Sequence, residues 1–373
     1  MLAKKLLIMS VSAGMGHVRA AEAIRACALQ HPGVAEVLHL DAMDFVTAGF
    51  RKVYTDFYVK LVDKAPTFWG YLYNHTHEAK ADSSLERLRR ALERLNARAL
   101  LRQIRALQPD AIVCTHFLPA EMLARQIRLG ELRCPVWVQV TDFDLHRLWV
   151  HEGMAGYFAA NEEVAFRMRA QGIAARSIEV TGIPIMPAFG QPLSRASCAA
   201  ELGLDPNQPT LLLMGGGAGV GSLENIAQRL MGLEQRFQLL VLAGRNQQAL
   251  TNLQGLALAH PGRLYPQGFT GVVERLMACA DLVITKPGGL TTSECMAMGL
   301  PMIVNSPIPG QEERNADYLL EQGVALKAFD GVTLEYRVRR LLDQPGLLMA
   351  MRERSRALGR TDAAQRVLAR VLA

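Results

Sequence analysis

The sequence predicts an α/β protein built from two doubly wound domains. Apolar strand-like runs alternate with helical patterns almost throughout, the pattern of parallel sheets covered by helices. A Pro-rich stretch, Gly182-Ile-Pro-Ile-Met-Pro-Ala-Phe-Gly-Gln-Pro192, interrupts this rhythm, which then restarts. At 373 residues the chain is long for one domain and ordinary for two. The expected division is 1–186 and 187–373, with a cleft between the halves and ligands beyond the carboxyl ends of the strands.

In the first half the expected strands are Lys5–Ser10, Val34–Leu40, Ala111–Thr115, Val136–Thr141, Tyr157–Ala160 and Ile178–Thr181. After the linker come Thr210–Met214, Gln238–Ala243, Arg263–Tyr265, Leu282–Thr285 and Met302–Asn305, and a helical pattern runs from Leu347 to Ala373. Two segments break the strand–helix rhythm. Residues 45–73 carry Phe45, Phe50, Tyr54, Phe57, Tyr58, Phe68, Trp69, Tyr71 and Tyr73. Residues 83–105 carry Arg87, Arg89, Arg90, Arg94, Arg98, Arg102 and Arg105 around Leu85, Leu88, Leu92 and Leu95.

Composition excludes some classes. No segment approaches the roughly 18 apolar residues of a membrane span. The basic, apolar start leads straight into a glycine motif and a helix, so it reads as a first strand, not a signal peptide, and a cytoplasmic location is expected. Six scattered cysteines without a CxxC pair argue against a disulfide or zinc framework. The net charge of +6 favours an anionic partner. Nucleic acid has only this charge behind it and no recognisable module, so no nucleic-acid partner is expected.

Three glycine-rich turns carry the chemistry. The first, Ser10-Val-Ser-Ala-Gly-Met-Gly-His17, joins a strand to a helix, and Gly14 and Gly16 permit a close approach of backbone to ligand. A histidine at a helix start feels the positive end of the dipole, which favours the neutral imidazole that a general base requires. His17 reads equally as a local helix cap. The second turn, Leu213-Met-Gly-Gly-Gly-Ala-Gly-Val-Gly221, makes an anion nest from Gly215, Gly216, Gly217 and Gly219 and lacks a Walker lysine. A tight turn without ligand is its alternative reading.

The third, Thr285-Lys-Pro-Gly-Gly-Leu-Thr-Thr-Ser-Glu294, leaves free backbone N–H groups at a helix start, suited to a diphosphate. Lys286, Gly288, Gly289, Thr291 and Thr292 would surround that anion, and Glu294 would accept from a ribose diol. Gly268 and Phe269 could read and pack against a nucleobase. His116, Asp142 and Asp144 end strands where an acceptor would lie, although each alone is more often a structural polar residue. Helix amides and Lys286 can offset diphosphate charge, so no essential metal and no cofactor are expected.

Together these residues resemble the monogalactosyldiacylglycerol synthase and diacylglycerol glucosyltransferase family, of glycosyltransferase family 28 and the GT-B fold. Gly14-Met-Gly-His17 with Ala20-Ala21 matches the family's glycine-rich GxGH. Val140-Thr-Asp-Phe-Asp-Leu-His146, Trp149, Tyr157-Phe158 with Ala160-Asn-Glu162, and Thr181-Gly-Ile-Pro-Ile185 are similar to the glycolipid branch. The third glycine turn resembles the family's donor site, and its continuation, Pro309-Gly-Gln-Glu-Glu-Arg-Asn315, implies Gln311, Glu312 and Asn315 near the donor sugar. The chain departs from plant galactolipid synthases in having Val11-Ser12 where they carry Asp-Thr, and Ala13 replaces the first loop glycine.

The resemblance implies two Rossmann-like domains facing each other across a cleft, the first binding lipid and the second binding UDP-sugar. It implies inverting transfer from UDP-glucose or UDP-galactose to diacylglycerol, with His17 as base and Gly14, Gly16, His116 and Asp142 on the acceptor side. Residues 45–105 would associate with an anionic membrane surface, on the inner face of the cell membrane, and the last helix would pack back on the first domain. Core packing of 45–73 and a solvated helix over 83–105 are the alternatives for that segment. Rival functions are a polyprenyl-linked or other lipid acceptor, a UDP-sugar 2-epimerase, and a sugar-nucleotide-sensing membrane module without turnover.

Overall fold

A computed structural model of the chain describes residues 3–12, 14–47, 49, 99–215, 223–305 and 307–373. Residues 48 and 50–98 of the expected membrane segment 45–105, and the loop glycines Gly216, Gly217 and Gly219, lie outside the described residues. The chain folds as two compact units. One comprises Met1–Pro187, Ile308–Gln311 and Arg360–Ala373; the other comprises Ala188–Pro307 and Glu312–Gly359.

The N-terminal unit is built on β1 (Lys4–Ser10), β2 (Val34–Asp41), β3 (Ala111–Cys114), β4 (Val136–Gln139), β5 (Gly156–Ala159) and β6 (Ile178–Val180). All pairs are parallel, in the order β2-β1-β3-β4-β5-β6. Side chains alternate across the sheet, so Leu7, Met9, Ile112, Cys114, Val136 and Val138 enter one buried cluster. Leu6, Ile8, Ala111, Val113, Trp137 and Phe158 enter the cluster on the opposite face. Burial on both faces explains why these strands read as continuous apolar runs.

The second cluster is closed by Ala21, Ile24 and Ala28 of the helix Met15–Ala28 and by Ala364, Val367, Leu368 and Val371 of the helix Ala363–Leu372. Each fully buried Val or Leu contributes roughly 1.5–3 kcal/mol, so the last helix is part of the N-terminal core. The helical pattern read over Leu347–Ala373 is in fact two helices, Pro345–Leu358 and Ala363–Leu372. The break coincides with the point where the chain leaves one unit for the other. Gly182 marks another constraint: its φ is +87°, and a Cβ there would lie 2.7 Å from the Arg360 Cβ. Only glycine serves at that crossing.

The C-terminal unit repeats the architecture with β7 (Thr210–Met214), β8 (Gln238–Gly244), β9 (Leu264–Gly268), β10 (Leu282–Thr285), β11 (Met302–Asn305) and β12 (Ala325–Ala328). Its parallel order is β12-β11-β10-β7-β8-β9. Strand β12 escapes the sequence reading because Ala-Leu-Lys-Ala has weak β propensity. Its register with β11, from Met302↔Ala325 to Asn305↔Ala328, makes it an edge strand.

In each sheet the chain winds outward one way, returns to the middle and winds the other way. The reversal lies between β1 and β3 in one sheet and between β7 and β10 in the other. At such a switch point the loops after the two strands diverge and leave a crevice for a ligand. His17 and His116 follow β1 and β3, and Gly215 and Lys286 follow β7 and β10.

Of the arginine-rich stretch, residues 99–107 are helical. Leu100 and Ile104, one turn apart, enter the N-terminal core, whereas Arg102 and Arg105 are exposed and Arg105 pairs with Glu131 at 3.0 Å. Among the described residues no helix is long and apolar enough to cross a membrane.

Candidate active site

At the β1/β3 switch point the loop after β1 ends at Gly14, which caps the helix Met15–Ala28 with φ 121° and ψ 139°. That conformation needs glycine, and it turns the chain so that His17 falls in the first helical turn. His17 is partly buried. Its Nδ1 lies 3.1 Å from the backbone oxygen of Thr115, after β3, and 2.8 Å from Thr141 Oγ1, after β4. A carbonyl oxygen only accepts, so Nδ1 carries the proton and Nε2 carries the lone pair. The Thr115 hydroxyl donates to the His17 backbone oxygen at 2.9 Å, tying the helix start to the end of β3.

Burial lowers the His17 pKa to about 4, and the hydrogen bond to the Thr115 carbonyl offsets only part of that shift. The ring is therefore neutral near pH 7. No Asp stands in the first loop to hold Nδ1, since Val11-Ser12 occupy that place. The Thr115 carbonyl and the Thr141 hydroxyl orient the ring instead.

His116 lies beside it with a different task. Its Nδ1 accepts from the Leu118 N–H at 3.0 Å and so caps the helix Phe117–Arg128. The two imidazoles meet edge to face at 4.5 Å between ring centres. Burial, and secondarily the charge His17 would carry, hold the His116 pKa well below its ordinary value. Trp149, 6.1 Å from His17, and Phe117, 4.2 Å from His116, complete an aromatic wall. Asp142 is buried and accepts from the Gln311 side-chain amide, within the same unit. Asp144 pairs with Arg167 at 3.1 Å. Among the described residues no group of three or more His, Cys, Asp or Glu is arranged to hold a metal ion.

The β7/β10 switch point is made of backbone. Gly215 follows β7, and the rest of that glycine loop lies outside the described residues. After β10 come Lys286, Pro287 and Gly288, and the helix Gly289–Ala297 begins. Gly288 is its N-cap, with no side-chain capping hydrogen bond and no acid in the first turn. The N–H groups at the helix start therefore have neither a capping side chain nor a first-turn acid, and Lys286 adds a positive charge three residues before it. A Cβ on Gly288 would meet nothing within 4 Å. Thr291 lies in the same turn. Thr292 is fully buried, and its hydroxyl has no hydrogen-bond partner. Such an orphan marks a place where a partner is expected.

Glu294 is buried on the same helix. Asn315, on the helix Gln311–Glu321, donates its side-chain amide to the Pro287 carbonyl at 3.1 Å and so pins the loop. Glu312 lies in the first turn of that helix. At the end of β9, beyond Gly268, Phe269 stands 62% exposed with the Arg245 guanidinium 4.6 Å from its ring centre. An exposed aromatic under a cation is a platform on which a flat base can stack.

Thr115, Thr141 and Arg245 are the contributions that sequence reasoning missed. The signal was present in part: each lies within two residues of the carboxyl end of a strand that the alternation identifies, where ligands sit.

The profile described as "Monogalactosyldiacylglycerol (MGDG) synthase" matches residues 17–185, and that of the "Glycosyltransferase family 28 C-terminal domain" matches residues 210–367. A processive diacylglycerol beta-glucosyltransferase of Bacillus pumilus (strain SAFR-032) is 27% identical over 374 residues, covering 98% of this chain and 94% of the relative. The Bacillus cereus (strain AH187) protein of the same name is 27% identical over 99% of this chain and 93% of its own. Among solved structures, Acinetobacter baumannii MurG superposes with a TM-score of 0.65 at 17% identity, covering 99% of both chains. UDP-GlcNAc 2-epimerase from Neisseria meningitidis, bound to UDP-GlcNAc, superposes with a TM-score of 0.62 at 12% identity, again over 99% of both. These likenesses show the fold, which is GT-B. Between them the two matched domains take in nearly all of both sheets, and the chain belongs to the monogalactosyldiacylglycerol synthase and diacylglycerol glucosyltransferase family, within glycosyltransferase family 28.

Proposed function

We propose that the protein moves a hexose from UDP-glucose or UDP-galactose to the hydroxyl of diacylglycerol, by a single inverting displacement. The observation that carries the reading is the fixed tautomer of His17: Nδ1–H is engaged by Thr115 and Thr141, and Nε2 holds a free lone pair at neutral pH. Nε2 takes the acceptor proton as the oxygen bonds to the anomeric carbon. The bond from that carbon to the diphosphate breaks, and UDP leaves with the electron pair.

The leaving charge is met by the uncapped N–H groups at Gly288 and Gly289, by Lys286, and by the Thr291 and Thr292 hydroxyls, with Gly215 to Gly219 completing the cradle. Donors fixed before charge develops stabilise the transition state more than the ground state. Glu294 holds the ribose and Gly268 with Phe269 the base; Arg245 joins them. Gln311, Glu312 and Asn315 stand near the sugar in this reading, the Asn315 amide pinning the loop through the Pro287 carbonyl. Gly14 and Gly16 bring the backbone close to the acceptor. In this account 1–186 is the acceptor domain and 187–373 the donor domain, working at an anionic membrane on the inner face of the cell membrane.

The relatives named for diacylglycerol glucosylation support the acceptor. The test is incubation with UDP-glucose or UDP-galactose and vesicles containing diacylglycerol, followed by mass analysis of the lipids. A hexosyl-diacylglycerol that requires the intact chain is the expected result. Conversion of UDP-GlcNAc to its 2-epimer without a lipid product would overturn the reading.

A further inference from the structure

The helix Gly331–Asp343 is apolar on two faces. Leu334, Val338 and Leu341 are buried in the core of the C-terminal unit. Phe329, just before the helix, and Val332 and Tyr336 on it stand 72%, 65% and 56% exposed. Val332 and Tyr336, four residues apart, lie along one stripe of the helix that continues to the exposed Arg339, and Phe329 precedes its first turn. Single exposed apolar residues are ordinary, but an exposed stripe on a helix whose other face already fills the core is not.

Cations lie against the aromatic rings at both ends of the stripe. Lys327 Nζ lies 5.7 Å from the Phe329 ring centre, and the Arg337 guanidinium lies 5.4 Å from that of Tyr336. Lys327, Arg337 and Arg339 have no carboxylate within ion-pair distance among the described residues. The local acids are engaged elsewhere: Asp330 caps the helix through Thr333, Glu335 pairs with Arg229 at 2.9 Å, and Asp343 accepts from Gln235.

We propose that this stripe of the C-terminal unit is a bilayer-contact surface, with Phe329, Val332 and Tyr336 entering the headgroup boundary and Lys327, Arg337 and Arg339 lying against anionic lipid. Aromatic side chains with an apolar body suit that boundary, and basic residues beside them add electrostatic attraction. The occupant is a bilayer because the stripe joins apolar residues to unpaired cations and the acceptor proposed above is itself a membrane lipid. The inference rests on that reading for its purpose, not for its measurement. Contact through the C-terminal unit would hold the donor domain at the surface from which the acceptor must come.

The experiment uses the full chain with vesicles of phosphatidylcholine alone or mixed with phosphatidylglycerol, and no diacylglycerol. Tyr336→Trp supplies a reporter. Its fluorescence, taken as the difference from the parent, should shift to the blue and be quenched by brominated acyl chains only in anionic vesicles. Neutralising Lys327, Arg337 and Arg339 to Gln should weaken vesicle partitioning, by roughly fivefold for each cation that reaches the surface. The triple change Phe329→Ser, Val332→Ser and Tyr336→Ser alters exposed positions and should weaken it without loss of folding. Absence of quenching by brominated lipid, or a blue shift that depends on protein concentration and not on lipid, would overturn the proposal, the latter pointing to a second copy. Transfer to diacylglycerol in detergent micelles is measured in parallel. Its failure in the parent chain sinks the function reading alone, and unchanged vesicle binding in the variants sinks the surface alone.

Discussion

The two switch points share one topology and are built from opposite materials. Between β1 and β3, side chains hold one another: His17 is clamped by Thr115 and Thr141, His116 is used as a cap, and Trp149 and Phe117 wall both. Between β7 and β10 the described part of the site is an uncapped helix start, a glycine with open space before it, and a buried threonine hydroxyl without a partner. In the first crevice the two imidazoles have partners within the protein; in the second the Thr292 hydroxyl and the uncapped helix start do not. The difference fits the tasks proposed above. A base must have its tautomer fixed before substrate arrives, whereas a leaving-group cradle must keep its donors free until charge appears.

Changes on either side should therefore separate cleanly. The largest effect is expected from His17→Ala, which removes the proton acceptor: transfer should fall roughly a hundred- to ten-thousandfold. UDP affinity by calorimetry should stay within about twofold, because no donor group is touched. Loss of UDP binding in this variant would break the comparison. Next comes Gly288→Asp, which has room for its side chain and places a carboxylate at the N-cap. It should leave the melting temperature unchanged or raise it by about a degree, from a few tenths of a kcal/mol of capping. It should also weaken UDP binding on the order of a hundredfold through like-charge repulsion. A folded chain that binds UDP normally would mean the diphosphate lies elsewhere.

Glu294→Gln keeps the shape and removes the charge, and should raise the KM for UDP-sugar roughly tenfold with little change in kcat. Thr141→Val is the finer probe of the other side. Losing one hydrogen bond to Nδ1–H should lower kcat about three- to tenfold while leaving UDP affinity unchanged. A separate effect is that of pH on stability. The pKa values of His17 and His116 lie below the ordinary 6.5 because burial penalises the charged ring. The unfolded chain therefore binds more protons than the folded one below about pH 6.5, and stability falls as pH drops from there toward 4. For the same reason His17 stays unprotonated through neutral pH, and the rate should not lose a base there. Denaturant midpoints across that range check the sign.

Much of this was legible in the sequence. Buried strands flanked by helices, the Pro-rich connector and the glycine turns mark both sheets and both crevices; His17 stands in the first turn of its helix and Glu294 more than a turn into its own. Three features were not legible, each for a physical reason. Strand β12 is held by its ladder with β11, not by its own residues. The clamp on His17 joins residues 98 and 124 positions apart, and only the sheet order brings them together. Arg245 follows β8 and Phe269 follows β9, and only the pairing of those strands makes them neighbours. Sequence gives each residue's place on its own strand; the order of strands decides what it meets.

The most direct test of the central claim is the anomeric configuration of the lipid product, read from the proton coupling of the sugar's anomeric hydrogen. A base on the acceptor oxygen with UDP leaving from the opposite side is one displacement, so an α-linked UDP-hexose must give a β-linked hexosyl-diacylglycerol. That product is the predicted result. An α-linked glycolipid would require a second displacement or front-side attack and would contradict the role assigned to His17.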